Sequence, residues 1–185
     1  MGRKLSKKKL LIVFIIALKV CILLELISSR YTLSFTTPGQ ECFPYKLWLV
    51  YKKDKTVYRD KYVAFKGNNI PYYINGTRWT KLVAGIEGDV VRVERVNYKK
   101  TIYKGGIPRE VQVWAIVKLI RNDGKTLTLE AYKTDTMQRR LPLIEEQVIP
   151  KGKFFAYSPH ERSYDSRYWG LADVSWVIGS ARPLF

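Results

Sequence analysis

The chain has 185 residues, of which 46% are hydrophobic and 14% aromatic, a composition that is typical of a folded globular protein and excludes a disordered one. Its formal net charge of +17 indicates attraction to polyanions, either nucleic acid or acidic lipid headgroups. Two cysteines and one histidine predict neither a disulfide framework nor a metal site, and we expect no cofactor.

The first predicted element is a transmembrane helix. Residues 10–27 are apolar apart from Lys19 and Glu25. About 18 residues are close to the minimum for a helix that crosses a hydrocarbon core of about 30 Å. Basic residues precede this stretch and a folded domain follows it, so we favour residues 1–29 as a cytoplasmic basic tail and a single anchor.

Two other interpretations of the N-terminus compete with the anchor. A cleaved signal peptide would place Ser28 and Ser29 near the cut. A lipoprotein signal is disfavoured, because the bulky Val20 precedes Cys21 where a small residue is required. An anchored domain would be exported, away from cytoplasmic DNA. We therefore expect anionic membrane lipids, and no nucleic acid, as the polyanionic partner.

After residue 30 the sequence predicts an all-β domain over residues 30–185. The predicted strands are rich in β-branched and aromatic residues and cover residues 47–51, 62–65, 81–84, 90–96, 111–120 and 126–132. Turn sequences separate them, and Asn122-Asp123-Gly124 gives the strongest hairpin prediction. No stretch after residue 30 keeps a helical repeat for three turns.

Polar side chains concentrate near the C-terminus, in SYDSRYWG at residues 163–170. This pattern is typical either of a buried polar support for a catalytic site or of a surface turn with one ion pair. A histidine-based triad would depend on His160 and is not favoured. A nucleophile paired with a lysine remains. Such a lysine accepts a proton only when neutral and therefore needs burial, which Lys81 within the apolar segment WTKLVAG at residues 79–85 would have.

Three segments resemble the sequence boxes of type I signal peptidases, peptidase family S26. KLVAGIEGD at residues 81–89 is similar to the lysine box, and residues 163–170 are similar to the C-terminal Ser-x-Asp-Ser-Arg-x-Trp-Gly box. IGSA at residues 178–181 is similar to the closing Gly-Arg-Ala segment, with Ser180 where arginine is usual. The resemblance implies a signal-peptidase-like β-domain.

The nucleophile box departs from the family pattern. In ECFPYKLWLV at residues 41–50, Cys42 stands where the family has serine. The Phe-Pro-Tyr pattern and the short chain favour the conjugative-transfer, TraF-type branch, whose members process pilin subunits. Cys42 is then a working nucleophile, a misfit that leaves the enzyme weak or inactive, or a replacement of an original serine. The same residues also suit core packing, with Cys42 as a small buried hydrophobe.

The resemblance implies a mechanism for an endopeptidase of the serine/lysine type. Lys81 would take the proton from Cys42, and the sulfur would attack a peptide carbonyl. The backbone N–H of Cys42, with a group near Gln40, would stabilise the oxyanion. Substrates would be pilin precursors or other exported preproteins in extended form, with small residues before the cut, and the product would be linear or cyclic.

The C-terminal box supplies the supports of that site by resemblance. Ser163 would orient the lysine, while Asp165 and Arg167 would form a buried pair that holds the loop. These two residues are expected to be structural rather than proton carriers.

Residues 97–147 would form a β-rich insertion in a catalytic domain on the periplasmic side of a bacterial inner membrane. YKKT at residues 98–101 and the pair Arg139-Arg140 make the insertion basic, which suits anionic headgroups or an ordinary solvated surface. The rival hypothesis is a catalytically inactive, membrane-anchored β-domain that binds partners in a secretion or conjugation apparatus.

Overall fold

The computed structural model describes residues 7–36, 42–104 and 106–185. Its first element is the predicted apolar helix, α1 (Lys7–Arg30), with 24 residues. At about 1.5 Å per residue it is about 36 Å long. Within the described residues it is the one helix long and apolar enough to cross a membrane, and its side chains from residue 8 onward are exposed on all sides. Residues 1–6 of the predicted basic tail lie outside the described part.

Beyond α1 the chain forms mainly strands, which confirms the prediction of an all-β domain behind one N-terminal helix. In chain order the strands are β1 (Tyr31–Phe35), β2 (Leu47–Tyr51), β3 (Tyr62–Gly67), β4 (Thr77–Gly85), β5 (Val90–Lys104), β6 (Ile107–Ile120), β7 (Thr126–Tyr132), β8 (Gln147–Val148), β9 (Lys153–Tyr157), β10 (Ala172–Asp173) and β11 (Val177–Pro183). A short helix, α2 (Ser166–Trp169), precedes β10, and a 3₁₀ turn (Val174–Trp176) follows it.

The larger sheet has seven antiparallel strands in the order β1-β2-β11-β3-β4-β9-β10. β1 follows α1 directly and pairs with β2, and the backbone N–H of Lys52 donates to the carbonyl of Arg30 at 2.7 Å. The sheet is therefore joined to the end of the helix. In the middle of the sheet, a Cβ atom at Gly179 would lie 2.2 Å from the backbone oxygen of Tyr51, so only glycine fits there.

The second sheet has four strands in the order β7-β6-β5-β8. Its main feature is a long hairpin of β5 and β6, which pair along almost their whole length. The predicted Asn122-Asp123-Gly124 turn joins β6 to β7, with Gly124 at a φ of 84° that suits glycine. The strands of this sheet lie between residues 90 and 148. The insertion proposed over residues 97–147 stays a prediction.

Three apolar clusters form the core. One lies between the second sheet and α2 and includes Leu119 and Tyr168. Another lies on the larger sheet around Phe65. A third, centred on Trp48, lies beneath the segment that contains Cys42. Cys42, in the bend before β2, and Lys81, on β4, therefore both lie next to packed side chains of the core.

The six predicted strand segments are confirmed, and some are longer than predicted: β4 begins at Thr77 and β5 ends at Lys104. Strands β1 and β8–β11 were not predicted. β9 is a short run of buried apolar residues, which periodicity alone does not distinguish from a buried helix. β11 contains Gly179 and ends at Pro183, two residue types that normally argue against a strand.

Candidate active site

Lys81 lies on β4 opposite Val63 of β3, with its side chain directed into the protein. It is 1% exposed, although it is a lysine. Its Nζ lies 2.8 Å from Ser163 Oγ and 3.3 Å from Cys42 Sγ. Within the described residues its amine is bonded to a hydroxyl and a thiol rather than to a carboxylate. A buried amine with these partners has the placement that a general base requires.

Cys42 lies in the bend just before β2 and is half-buried. Its neighbour Phe43 is buried and packs edge-on against Trp48 and Tyr62, with ring centroids 5.4 Å and 5.2 Å away. Pro44 further restricts the backbone of this bend. The position of the thiol is therefore set by core packing on one side, while its other side faces a cleft.

Ser163 is the third polar group at this point and comes from the loop between β9 and α2. Its Oγ lies 3.6 Å from Cys42 Sγ as well as 2.8 Å from Lys81 Nζ. It is 2% exposed, and its backbone N–H donates to the carbonyl of His160. The hydroxyl contacts both partners and can hold the amine of Lys81 toward the thiol.

A buried ion pair holds the Ser163 loop. Arg167 donates from Nε and Nη2 to the two carboxylate oxygens of Asp165, at 2.8 Å and 3.0 Å. The Nη2 group also donates to the carbonyl of Ser163, and Nη1 donates to that of Glu130. Asp165 caps α2 as well. Burial opposes the charge, but the nearby Asp165 carboxylate raises the pKa of Arg167 above its usual range. These contacts fix the backbone of Ser163.

A second polar network joins this loop to the smaller sheet. The Nζ of Lys100, on β5, lies 2.7 Å from Glu130 Oε2 and 2.8 Å from Glu161 Oε1. The hydroxyl of Tyr132 also donates to Glu161, at 2.8 Å. Hydrogen bonds to Glu130 and Glu161 raise the pKa of Lys100. Burial favours the neutral form of Glu161, but its bonds from Lys100 and Tyr132 lower its pKa overall.

A cleft of about 1310 Å³ opens where these side chains meet, and Cys42, Lys81 and Ser163 all line it. One wall is residues 77–81 of β4, which pair with β3 on one side only. On the other side, pairing with β9 begins at Leu82. An open strand edge therefore lies beside the three polar groups, and such an edge can pair with an extended peptide.

The structure brings together three of the predicted site residues: Cys42, Lys81 and Ser163. It places Asp165 and Arg167 behind them as a buried pair. Gln40, predicted near the oxyanion, lies outside the described residues.

Sequence reasoning missed the network of Lys100, Glu130, Tyr132 and Glu161. Glu161 lies two residues before the polar C-terminal box, and this position could have marked it as a candidate site residue. Nothing in the sequence pairs it with a lysine on a distant hairpin, because only the folded sheet brings the two together.

The sequence matches a protein-family model along almost its whole length. A family model described as "Signal peptidase, peptidase S26" matches residues 6–185. A stretch of 52 residues is 40% identical to the "Conjugal transfer protein TraF" of Agrobacterium fabrum, and it spans 28% of this chain and 30% of that relative. The predicted resemblance to TraF-type members of this family is thereby confirmed. The chain belongs to the signal peptidase family, peptidase S26.

Proposed function

We propose that the chain is a membrane-anchored endopeptidase that cleaves exported precursor proteins, with Cys42 as nucleophile and Lys81 as general base. The observation that carries the proposal is the 3.3 Å contact between Lys81 Nζ and Cys42 Sγ in a cleft with an open strand edge. Membership of the signal peptidase family supports a hydrolase of the peptidase type.

In the proposed reaction, Lys81 accepts the thiol proton of Cys42, and the resulting thiolate attacks the scissile carbonyl. The tetrahedral intermediate collapses to a thioester, and the leaving amine takes the proton from Lys81. A water molecule or an amine then attacks the thioester and releases the acyl group, and the sulfur regains its proton. Ser163 holds Lys81 in line throughout, since its hydroxyl contacts both groups.

The oxyanion of the intermediate is assigned to the backbone N–H of Cys42, with a further donor near Gln40. The substrate is an extended segment that pairs with residues 77–81 and places its scissile carbonyl next to the thiol. Aromatic rings such as Tyr73 and Trp79 line this part of the cleft. Bulky rings at this position would favour small residues before the cut.

The proposed location is a bacterial inner membrane with the domain on the periplasmic side. Basic residues lie on the N-terminal side of α1, which favours a cytoplasmic N-terminus. The similarity to a conjugal transfer protein supports a role in conjugation, with pilin precursors as the proposed substrates.

The smaller sheet is the proposed contact for anionic lipids. Its long hairpin carries the exposed side chains of Tyr103 and Ile107 near Lys99 and Arg109. Apolar tips beside cations suit a headgroup layer. Flotation with phosphatidylcholine vesicles, with and without phosphatidylglycerol, should show binding that needs the anionic lipid and weakens with salt. This requires a protein from which residues 1–29 have been removed, because the anchor would bind both.

The peptidase is tested by incubating the full-length, detergent-solubilised protein with a pilin precursor and analysing the products by mass spectrometry. Lys81→Ala should lower the cleavage rate by a factor of about 10²–10⁴, the usual contribution of a general base. Lys66→Ala is the matched control, because Lys66 lies on the neighbouring strand with its side chain exposed.

Cys42→Ala should abolish cleavage, and Cys42→Ser tests whether the site accepts oxygen. Activity in the serine variant but not in the parent would show that the sulfur is a misfit. Lack of cleavage in parent and serine variant alike, with a folded domain, would reject the peptidase proposal in favour of the binding role.

A further inference from the structure

The loop that carries Ser163 is bound by residues of the smaller sheet. Glu161 accepts hydrogen bonds from Lys100 on β5 and Tyr132 on β7. Arg162 donates to the carbonyl of Thr134 at 3.1 Å, and its guanidinium lies 5.4 Å from the centroid of the Tyr132 ring. Two consecutive residues directly before Ser163 are thus bound to the smaller sheet.

We propose that Lys100 is a positioning residue for the active site: it holds Glu161, and through it the Ser163 hydroxyl, in contact with Lys81 and Cys42. The inference rests on the proposed function, since it names a residue that tunes the same dyad. Through Lys100, the long hairpin thereby helps to position the dyad.

The contact geometry explains why one lysine has this effect. Lys100 Nζ bridges two carboxylates, Glu130 and Glu161, that would otherwise repel each other beside the loop. Without the ammonium, Glu161 keeps its bond from Tyr132 but faces the uncompensated charge of Glu130, so the segment before Ser163 loses one of its attachments and can shift by a small distance. Ser163 Oγ is only 2.8 Å from Lys81 Nζ, so a displacement of about 1 Å breaks the contact that aligns the base.

The same network contributes little to the stability of the fold. The side chains of Lys100 and Glu161 are 38% and 40% exposed, and ion pairs at that exposure are weak. An effect on the chemistry of Cys42 can therefore be separated from an effect on folding. Lys118 provides a matched control: it lies on β6 of the same sheet and binds Glu94 at the same 2.8 Å, on the surface.

The test measures the alkylation rate of Cys42 by iodoacetamide in the full-length protein, which needs no substrate. Cys21→Ser removes the only other thiol. The thiolate is the reacting form, so the rate reports proton transfer from Cys42 to Lys81. We expect Lys100→Ala to slow alkylation by about tenfold at neutral pH, with an unchanged melting temperature. Lys100→Arg should restore the rate, and Glu161→Gln should reproduce the loss.

The controls separate this inference from the function on which it rests. If Lys81→Ala is alkylated as fast as the parent, the proposed dyad itself fails. If Lys81→Ala is slow but Lys100→Ala reacts like the parent, only the positioning role is overturned. An equal loss in Lys118→Ala, or a fall in the melting temperature that accounts for the slower rate, also overturns it.

Discussion

The seven-stranded sheet and the four-stranded sheet differ in what they bury. Within the described residues of β5–β8, the buried side chains are apolar apart from the hydroxyl of Tyr132, and charges such as Lys118 and Glu94 pair on the surface. The larger sheet and its loops instead enclose Lys81, Ser163 and the Asp165–Arg167 pair. Burying polar groups costs stability unless each is hydrogen-bonded. These groups lie at or directly behind one cleft, and the two sheets differ in this respect; Asp89, buried beside Arg59 just before β5, is a separate buried charge.

The largest expected effect on stability comes from breaking the buried ion pair between Asp165 and Arg167. Arg167→Ala would leave the carboxylate of Asp165 buried without its main partner, and we expect a loss of about 3–5 kcal/mol in the free energy of unfolding. Urea unfolding of the protein followed by tryptophan fluorescence measures it. Arg92→Ala is the matched control, since Arg92 and Glu146 are exposed and should contribute less than about 1 kcal/mol. Similar losses in both variants would contradict the expectation that the buried ion pair contributes more to stability than the exposed one.

Truncation of a buried side chain in the second sheet should lower the stability of the fold but leave the reactivity of Cys42 unchanged. Leu119 is fully buried in the cluster of the second sheet, and Leu119→Ala should cost about 2–5 kcal/mol through lost burial and a cavity. Because Leu119 is not among the described residues that line the cleft, the alkylation rate of Cys42 should not change under conditions where the variant is folded. A slower rate in the folded variant would show that the two regions are coupled through the core.

The middle of the larger sheet should resist a single added methyl group. Gly179→Ala would place a Cβ atom against the backbone oxygen of Tyr51, which cannot move without displacing β2. We expect a loss of about 1–3 kcal/mol from this overpacking. Thermal unfolding measures it, with Ser180→Ala as the neighbouring control on the same strand. A neutral Gly179→Ala variant would mean that β2 and β11 tolerate wider separation than their pairing suggests.

The smallest expected effect lies at the edge of the larger sheet and depends on pH. Hydrogen bonds from Lys153 and Ser175 lower the pKa of Asp173 from 3.8 to about 2. A lowered pKa stabilises the fold above pH 3.8, and this contribution is lost as the pH falls toward 2. The side chain is partly exposed, so Asp173→Asn should cost about 1 kcal/mol or less at neutral pH. The difference in unfolding free energy between parent and variant should shrink below pH 3.8; a constant difference would contradict the assignment.

The sequence was informative wherever a local pattern decided the structure. The Asn122-Asp123-Gly124 turn, the alternating strands of the second sheet and the apolar helix all follow from short-range chemistry. The middle strand β11 could not be predicted in this way, because its pairing with β2 depends on partners far apart in the sequence. The edge strand β1 precedes β2 directly in the chain, and its five residues directly after the apolar helix were not recognised as a strand.

The candidate site likewise combines residues that a local pattern or motif predicts with residues that only long-range contacts bring together. Lys81 was predicted from its apolar neighbours together with the lysine box of the family, and Cys42 and Ser163 were predicted from the family resemblance. The bond between Lys100 and Glu161 was not predicted, because both residues look like ordinary surface charges in the sequence. Only the folded sheet, in which β5 pairs with β6 and β6 pairs with β7, brings Lys100 next to the loop before α2.

The direct passage from α1 into β1 has a consequence for how a precursor would be cut. β1 has five residues, about 17 Å when extended, and it pairs residue by residue with β2, the strand that begins just after Cys42. In the proposed anchored peptidase, this short connection would keep the sulfur of Cys42 at a nearly constant distance from the lipid surface. For a precursor anchored in the same bilayer, that distance would determine which peptide bond reaches Cys42. The proposed enzyme would then select its cleavage site by distance from the membrane as well as by side-chain fit.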